Sequence, residues 1–254
     1  MLLIGNTSLS GLIMSCVLLG ASIFTLKNGL QRIAYEDSLC IVRAYMGYAF
    51  YTIFNCSFAL QAFYRYIIVV YPTRLIFQSF KFQFMIICVT WIFNFIISIG
   101  YIFSGEIVYD SDNQICQLHL KFSFIIIYES VLGYTIPVSL IIFVYWKLVR
   151  YVKEISQNVT HVNTLLHVKR ELKMVRRVVI LVTFLIVTSF PYLIMMFMSF
   201  FNQAPIYHFR IMYIVFNASI LSVIIALYQF TDPIKASLIK IIKYRRTTII
   251  PTIT

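Results

Sequence analysis

Long stretches without charged residues constrain this chain more than any other feature of its sequence. Of its 254 residues, 61% are hydrophobic and only 12% are charged. A helix needs about 20 consecutive apolar residues to cross a bilayer. Stretches of that length or longer follow one another along the whole chain, and they carry almost no charge. The pattern predicts an all-α bundle of six membrane spans, at about residues 2–26, 40–71, 84–103, 121–148, 174–201 and 209–230.

The basic residues lie mostly on one side of this topology. The net charge is +12, with 21 Lys and Arg residues. If the first span begins inside, all but five of these 21 share one side, the exceptions being Lys27, Arg32, Arg43, Lys121 and Arg210. The positive-inside rule makes that side, with the C-terminus, cytoplasmic. Topology and anionic membrane lipids account for the charge, so no nucleic-acid partner is expected.

A further helix is predicted directly after the last span. Asp232-Pro233 combines a favourable N-cap residue with a proline suited to the first turn. Lysines flank an apolar face in the residues that follow. Residues 232–244 are therefore predicted to form an amphipathic helix on the inner membrane surface. A frayed basic tail is the alternative.

A single arginine stands near the inner end of the second span, within Tyr64-Arg65-Tyr66. A charge in this place is costly unless it has a function or a partner. The segment resembles the cytoplasmic end of the third helix of rhodopsin-like G-protein-coupled receptors, where Asp/Glu-Arg-Tyr is usual. Cys40 lies 25 residues earlier, which is about 37 Å along a helix and thus about one membrane thickness. The six spans then resemble helices 2–7 of a seven-helix receptor. The missing first helix is explained either by a truncated gene model or by a true six-span protein.

The resemblance implies a disulfide bond between Cys40 and Cys116. The family has a paired cysteine with this relation to its arginine. Cys116 is the only other cysteine that the topology places outside, and extracellular thiols oxidise. The bond would tie the loop of residues 104–120 over the mouth of the bundle.

The resemblance also suggests residues that switch the receptor and couple it to a G protein. Glu171 lies 20 residues before Pro191, which places it level with Arg65. The pair resembles the family's inactive-state ionic lock, although Glu171 has basic neighbours and a solvated position is the alternative. Pro137 and Pro191 match helix-kinking prolines of the family. The full set of switch residues is Arg65, Tyr66, Tyr145, Glu171 and Tyr228, of which Tyr145 can equally be an ordinary interfacial tyrosine.

The outer half of the bundle is the default ligand site. Glu129 is the most informative residue there, because it is the only acidic residue inside a predicted span and an intramembrane carboxylate is a functional hypothesis by default. It could receive a cationic ligand group. The alternatives are a structural partner such as Lys121 or a neutral side chain bonded to a neighbour. The predicted ligand-binding residues are Tyr48, Tyr51, Glu129, Tyr192, Met196, Arg210 and Tyr213.

Departures from the family pattern narrow the ligand class. Gly47 stands where amine receptors carry Asp, and Gly11 stands near the position of the sodium-site aspartate. The last span has no central lysine, so a retinal Schiff base is excluded. The resemblance therefore implies a receptor that is neither an opsin nor of the amine type, without a cofactor or metal.

The predicted function is that of a plasma-membrane G-protein-coupled receptor. It would carry a signal from an unknown extracellular ligand to a heterotrimeric G protein on the cytoplasmic face. The sequence shows no catalytic arrangement of residues, so an enzyme is not expected. The alternatives are a multi-span transporter or channel, which would need paired midplane charges and broken helices, or a receptor fragment that does not signal.

Overall fold

The computed structural model describes residues 2–31, 39–71, 73–111, 113–118, 123–158 and, with gaps, 176–230. Its elements in chain order are α1 (Leu2–Gln31), α2 (Cys40–Val70), α3 (Leu75–Gln78), α4 (Phe80–Phe103), β1 (Ile107–Asp110), β2 (Ile115–Leu118), α5 (Phe124–Glu129), a π-helix (Ser130–Thr135), α6 (Ile136–Asn158) and α7 (His208–Phe230). Between α6 and α7 the described residues from 176 to 200 are helical, and 193–200 are continuous.

Five described helical segments are long and apolar enough to cross a membrane. They are Leu2–Leu30, Cys40–Val70, Phe80–Phe103, Phe124–Tyr151 and His208–Ile225. They correspond to five of the six predicted spans. The remaining prediction, 174–201, is described only with gaps, and the predicted helix at 232–244 lies outside the described residues. The protein is thus a multi-pass membrane protein.

The first helix is longer than predicted. The sequence Lys27-Asn28-Gly29 suggests a turn, but α1 continues to Gln31. Asn28 is buried, and Gly29 lies beside the guanidinium of Arg210 on α7. These contacts extend the helix beyond the point where local sequence predicts its end.

The segment 104–120 is the exception to the predicted all-α fold, because it contains an antiparallel β-hairpin. In its register Ile107 pairs with Leu118 and Asp110 with Ile115. The Gln114 amide donates to the Asp110 carbonyl at 2.6 Å, and Gln114 has a positive φ of 57°. All residues of β2 are buried, so the hairpin packs into the bundle.

Helix α2 stands at the centre of the bundle, because it packs against α1, α4, α6 and both strands of the hairpin. Its Phe54 and Phe58 rings meet edge to face, with centroids 4.9 Å apart, in the main apolar core. Polar bonds also join the helices. The indole of Trp91 on α4 donates to Asn6 on α1 at 2.8 Å, and Asn6 donates to Ser57 on α2 at 2.9 Å.

Candidate functional site

A cavity of about 400 Å³ lies among α1, α2, the π-helix, the 193–200 segment and α7. This volume is in the usual range for small-molecule sites. Its walls are mainly apolar and aromatic, and they include Met14, Leu18, Met196, Met212 and Phe216. Strand β2 covers the cavity, since Gln114 to Leu118 all line it.

Two connections hold this cover to the N-terminal half of α2. A disulfide joins Cys40 to Cys116, with Cα atoms 5.4 Å apart, which confirms the predicted pairing. The backbone amide of Leu118 donates to the Tyr48 hydroxyl at 3.2 Å. The cover is therefore fixed to the helix whose other end carries Arg65.

The wall formed by α5 and the π-helix carries the carboxyl group of Glu129. The Tyr101 hydroxyl donates to its Oε2, whereas Oε1 is buried and has no hydrogen-bond partner. A Cβ at Gly133 would lie 2.7 Å from Oε1, so the glycine makes room for the carboxyl group. The sequence did not indicate Tyr101 as a partner of Glu129, and Lys121, the partner considered instead, lies outside the described residues.

The π-helix ends two residues before Pro137, which is buried. Proline has no N–H to donate to the carbonyl four residues earlier, and that carbonyl belongs to Gly133. The side-chain amide of Asn55 on α2 donates to it instead, at 2.8 Å. A neighbouring helix thus supplies the hydrogen bond that the proline cannot.

The structure brings together five of the seven predicted ligand-binding residues. Tyr48, Tyr51, Glu129, Met196 and Tyr213 all line the cavity.

The other two predicted ligand-binding residues have different outcomes. Arg210 lies outside the lining, with its guanidinium beside Gly29 and 5.1 Å from the Tyr207 ring centroid. Tyr192 lies outside the described residues.

Among the polar residues of the lining that sequence reasoning missed are Arg43, Gln114 and Gln117. The guanidinium of Arg43 lies 4.4 Å from the Phe24 ring centroid. The charge pattern gave a usable signal for Arg43, because it is one of the few basic residues on the outer side. The two glutamines had no such signal, since the hairpin that positions them was not predicted.

Near the C-terminal end of α2, Arg65 is half-buried. Tyr64, which replaces the acidic residue of the resembled motif, accepts a hydrogen bond from the Gln83 side chain of α4 at 2.6 Å. Tyr66 and Tyr145 pack against the same small cluster around Val69 and Leu148.

The remaining predicted switch residues are described incompletely. Glu171 lies outside the described residues, so its pairing with Arg65 stays a prediction. Tyr228 lies within α7, but its side chain is outside the described part. Pro191 is exposed within the helical residues between 176 and 200.

Comparison with known protein families decides the class of the protein. The model of the family described as 7 transmembrane receptor (rhodopsin family) matches residues 1–234. The chain belongs to the rhodopsin family of seven-transmembrane receptors. This family consists of receptors rather than enzymes. No curated protein matches the receptor chain.

Proposed function

We propose that this receptor passes a signal from an extracellular ligand to a heterotrimeric G protein at the plasma membrane. The observation that carries the proposal is the covered cavity of about 400 Å³. Its walls are apolar with a few polar groups, as expected for a site that binds and orients a small molecule. Tyr48, Tyr51, Glu129, Met196 and Tyr213 are the proposed ligand contacts.

The proposed coupling runs along α2. This helix lines the cavity at its outer end and carries Arg65 near its inner end. A ligand would favour one of two packings of the bundle. In the active packing Arg65 leaves Glu171, the inner end of the 174–201 span moves outward, and the G protein binds in the resulting groove.

Several parts of this proposal rest on family resemblance. The switch set is Arg65, Tyr66, Tyr145, Glu171 and Tyr228. The C-terminus would lie in the cytoplasm, and residues 232–244 would lie along anionic lipid of the inner leaflet.

Basal G-protein activation in cells that express the receptor tests the proposed switch. Glu171→Gln should raise basal activity, because it removes the proposed partner of Arg65. Glu154→Gln is the matched control, since Glu154 is an exposed carboxylate at the end of α6. Unchanged basal activity of Glu171→Gln at normal surface expression would count against the lock, and solute uptake without any G-protein response would favour a transporter.

A further inference from the structure

We propose that the cavity binds a small organic acid that carries a second, hydrogen-bond-donating group at its far end. The acid group would lie at Arg43, and the donor group, a hydroxyl or an ammonium, at Glu129. This inference rests on the proposed function only in taking the cavity as the ligand site.

The outer end of the cavity is cationic. Arg43 follows Cys40 by three residues on α2, and it is the only basic residue in the described lining. Its planar guanidinium suits the planar geometry of a carboxylate. Its Cζ lies 4.4 Å from the Phe24 ring centroid, so the group is placed against α1 at the edge of the cavity.

The cover adds polar groups with unused hydrogen-bonding capacity. Gln117 and Gln114 are 6% and 8% exposed. Gln117 Nε2 and Gln114 Oε1 are buried without a hydrogen-bond partner. Such groups are costly to leave unpaired. Gln117 follows Cys116, which is bonded to Cys40, so the donor of Gln117 lies at the same end of the cavity as Arg43.

The opposite end of the cavity is acidic. Glu129 is the only acidic residue in the described lining, and its Oε1 has no partner. A Cβ at Gly133 would lie 2.7 Å from this Oε1 and 3.2 Å from the Thr52 hydroxyl oxygen, so Glu129 lies at the level of Thr52 on α2. Thr52 follows Arg43 by nine residues, which corresponds to a rise of about 13 Å.

This arrangement selects among ligand classes. A hydrocarbon would leave the buried polar atoms unpaired, and a polyamine would meet the fixed positive charge of Arg43. A molecule with a carboxylate at one end, a hydroxyl or ammonium at the other and an apolar middle can accept from Arg43 and Gln117 Nε2 and donate to Glu129 Oε1. Its middle would pack against the apolar wall between them.

Direct binding to the purified receptor chain in lipid nanodiscs tests the proposal without a G protein. The probes are the ω-hydroxy and ω-amino derivatives of decanoic and dodecanoic acid, each compared with its methyl ester. We expect the acids to bind roughly 10- to 100-fold more tightly than the esters, because charge-assisted hydrogen bonds to Arg43 are lost on esterification. Arg43→Gln should abolish this preference. Glu129→Gln should weaken the binding of the ω-amino derivatives more than that of the ω-hydroxy derivatives.

Two further variants keep the test interpretable. Arg43→Lys retains the charge and should retain part of the acid preference. Arg210→Gln removes an arginine at the same end of the bundle but outside the cavity lining, and it should leave the preference unchanged.

The proposal is wrong if no acid of the panel binds at millimolar concentration, if esters bind as well as acids, or if Arg43→Gln keeps the preference. Acid binding without any G-protein response in cells would instead overturn the proposed signalling function. A G-protein response to neutral ligands alone would leave signalling standing and overturn the proposed ligand class.

Discussion

The bond from Asn55 to the Gly133 carbonyl gives a quantitative prediction about the bundle. Asn55 is 5% exposed, and its amide nitrogen lies 2.8 Å from a carbonyl oxygen that Pro137 cannot serve. Asn55→Ala removes the bond and leaves a buried carbonyl unpaired. We expect a loss of about 1–2 kcal/mol in the free energy of unfolding, and a melting temperature lower by about 2–8 °C.

The control variant is Asn217→Ala, which removes a similar side-chain bond to a carbonyl that also accepts a backbone N–H. Asn217 donates from its side chain to the Tyr213 carbonyl at 2.9 Å, four residues earlier within α7, and it makes a longer contact of 3.4 Å with the Ser22 hydroxyl on α1. That carbonyl also lies at the position that accepts the backbone N–H of Asn217 in a regular helix. Asn217→Ala should therefore cost about 0.6 kcal/mol or less.

A double-mutant cycle tests the reason for the effect. Pro137→Ala introduces an N–H near the Gly133 carbonyl, so Asn55→Ala should cost about 1 kcal/mol less in that background. Thermal unfolding of the purified receptor in nanodiscs, followed by far-UV circular dichroism, measures all four members of the cycle. Equal costs of Asn55→Ala with and without the proline would refute the reasoning.

Two further predictions concern packing and the cover of the cavity. Gly11→Ala should destabilise the bundle by about 1–3 kcal/mol, because its Cβ would lie 2.9 Å from the Phe54 ring. Gly20→Ala is the control, since a Cβ there would have no atom within 4 Å. It should be neutral or slightly stabilising in the same thermal assay. Tyr48→Phe removes the hydroxyl that accepts from the Leu118 amide, so hydrogen exchange at that amide should accelerate about tenfold, which corresponds to a bond of about 1.4 kcal/mol. Unchanged exchange would show that the Tyr48 hydroxyl does not hold the strand.

The spans were predictable because their signal is local. A run of about 20 uncharged apolar residues suffices to predict a membrane helix, and the predicted span 40–71 differs from α2 by one residue at its end. The end of α1 was not predictable in this way. Lys27-Asn28-Gly29 suggests a turn, and only the contact of Gly29 with a residue of α7, far away in sequence, shows why the helix continues.

The hairpin was missed although its disulfide was predicted. Each strand is only four residues long, and the turn contains none of the Gly pairs that mark tight hairpins. The pairing instead depends on Gln114 in a left-handed conformation and on burial beneath the bundle mouth. Neither condition is visible in a short sequence window.

The candidate site was partly predictable from helix geometry. Tyr48 and Tyr51 were proposed from the outer half of α2, and Arg43 and Gly47 fall on the same face of that helix and line the same cavity. Extending the face by one turn would have included Arg43. The partner of Glu129 could not be found in this way, since Tyr101 lies on α4 and no local spacing relates the two.

The middle of the bundle constrains how a signal could cross the receptor. Gly11, near the position of the family's sodium-site aspartate, faces the ring of Phe54 instead of a polar group. Phe54 and Phe58 belong to the same apolar cluster as Met14, which also lines the cavity. A close-packed apolar core responds to displacement by repacking side chains rather than by passing protons or ions. If the receptor signals as proposed, a ligand in the cavity would reach Arg65 through a rearrangement of these aromatic rings and of the bonded Asn6 and Ser57 side chains beside them.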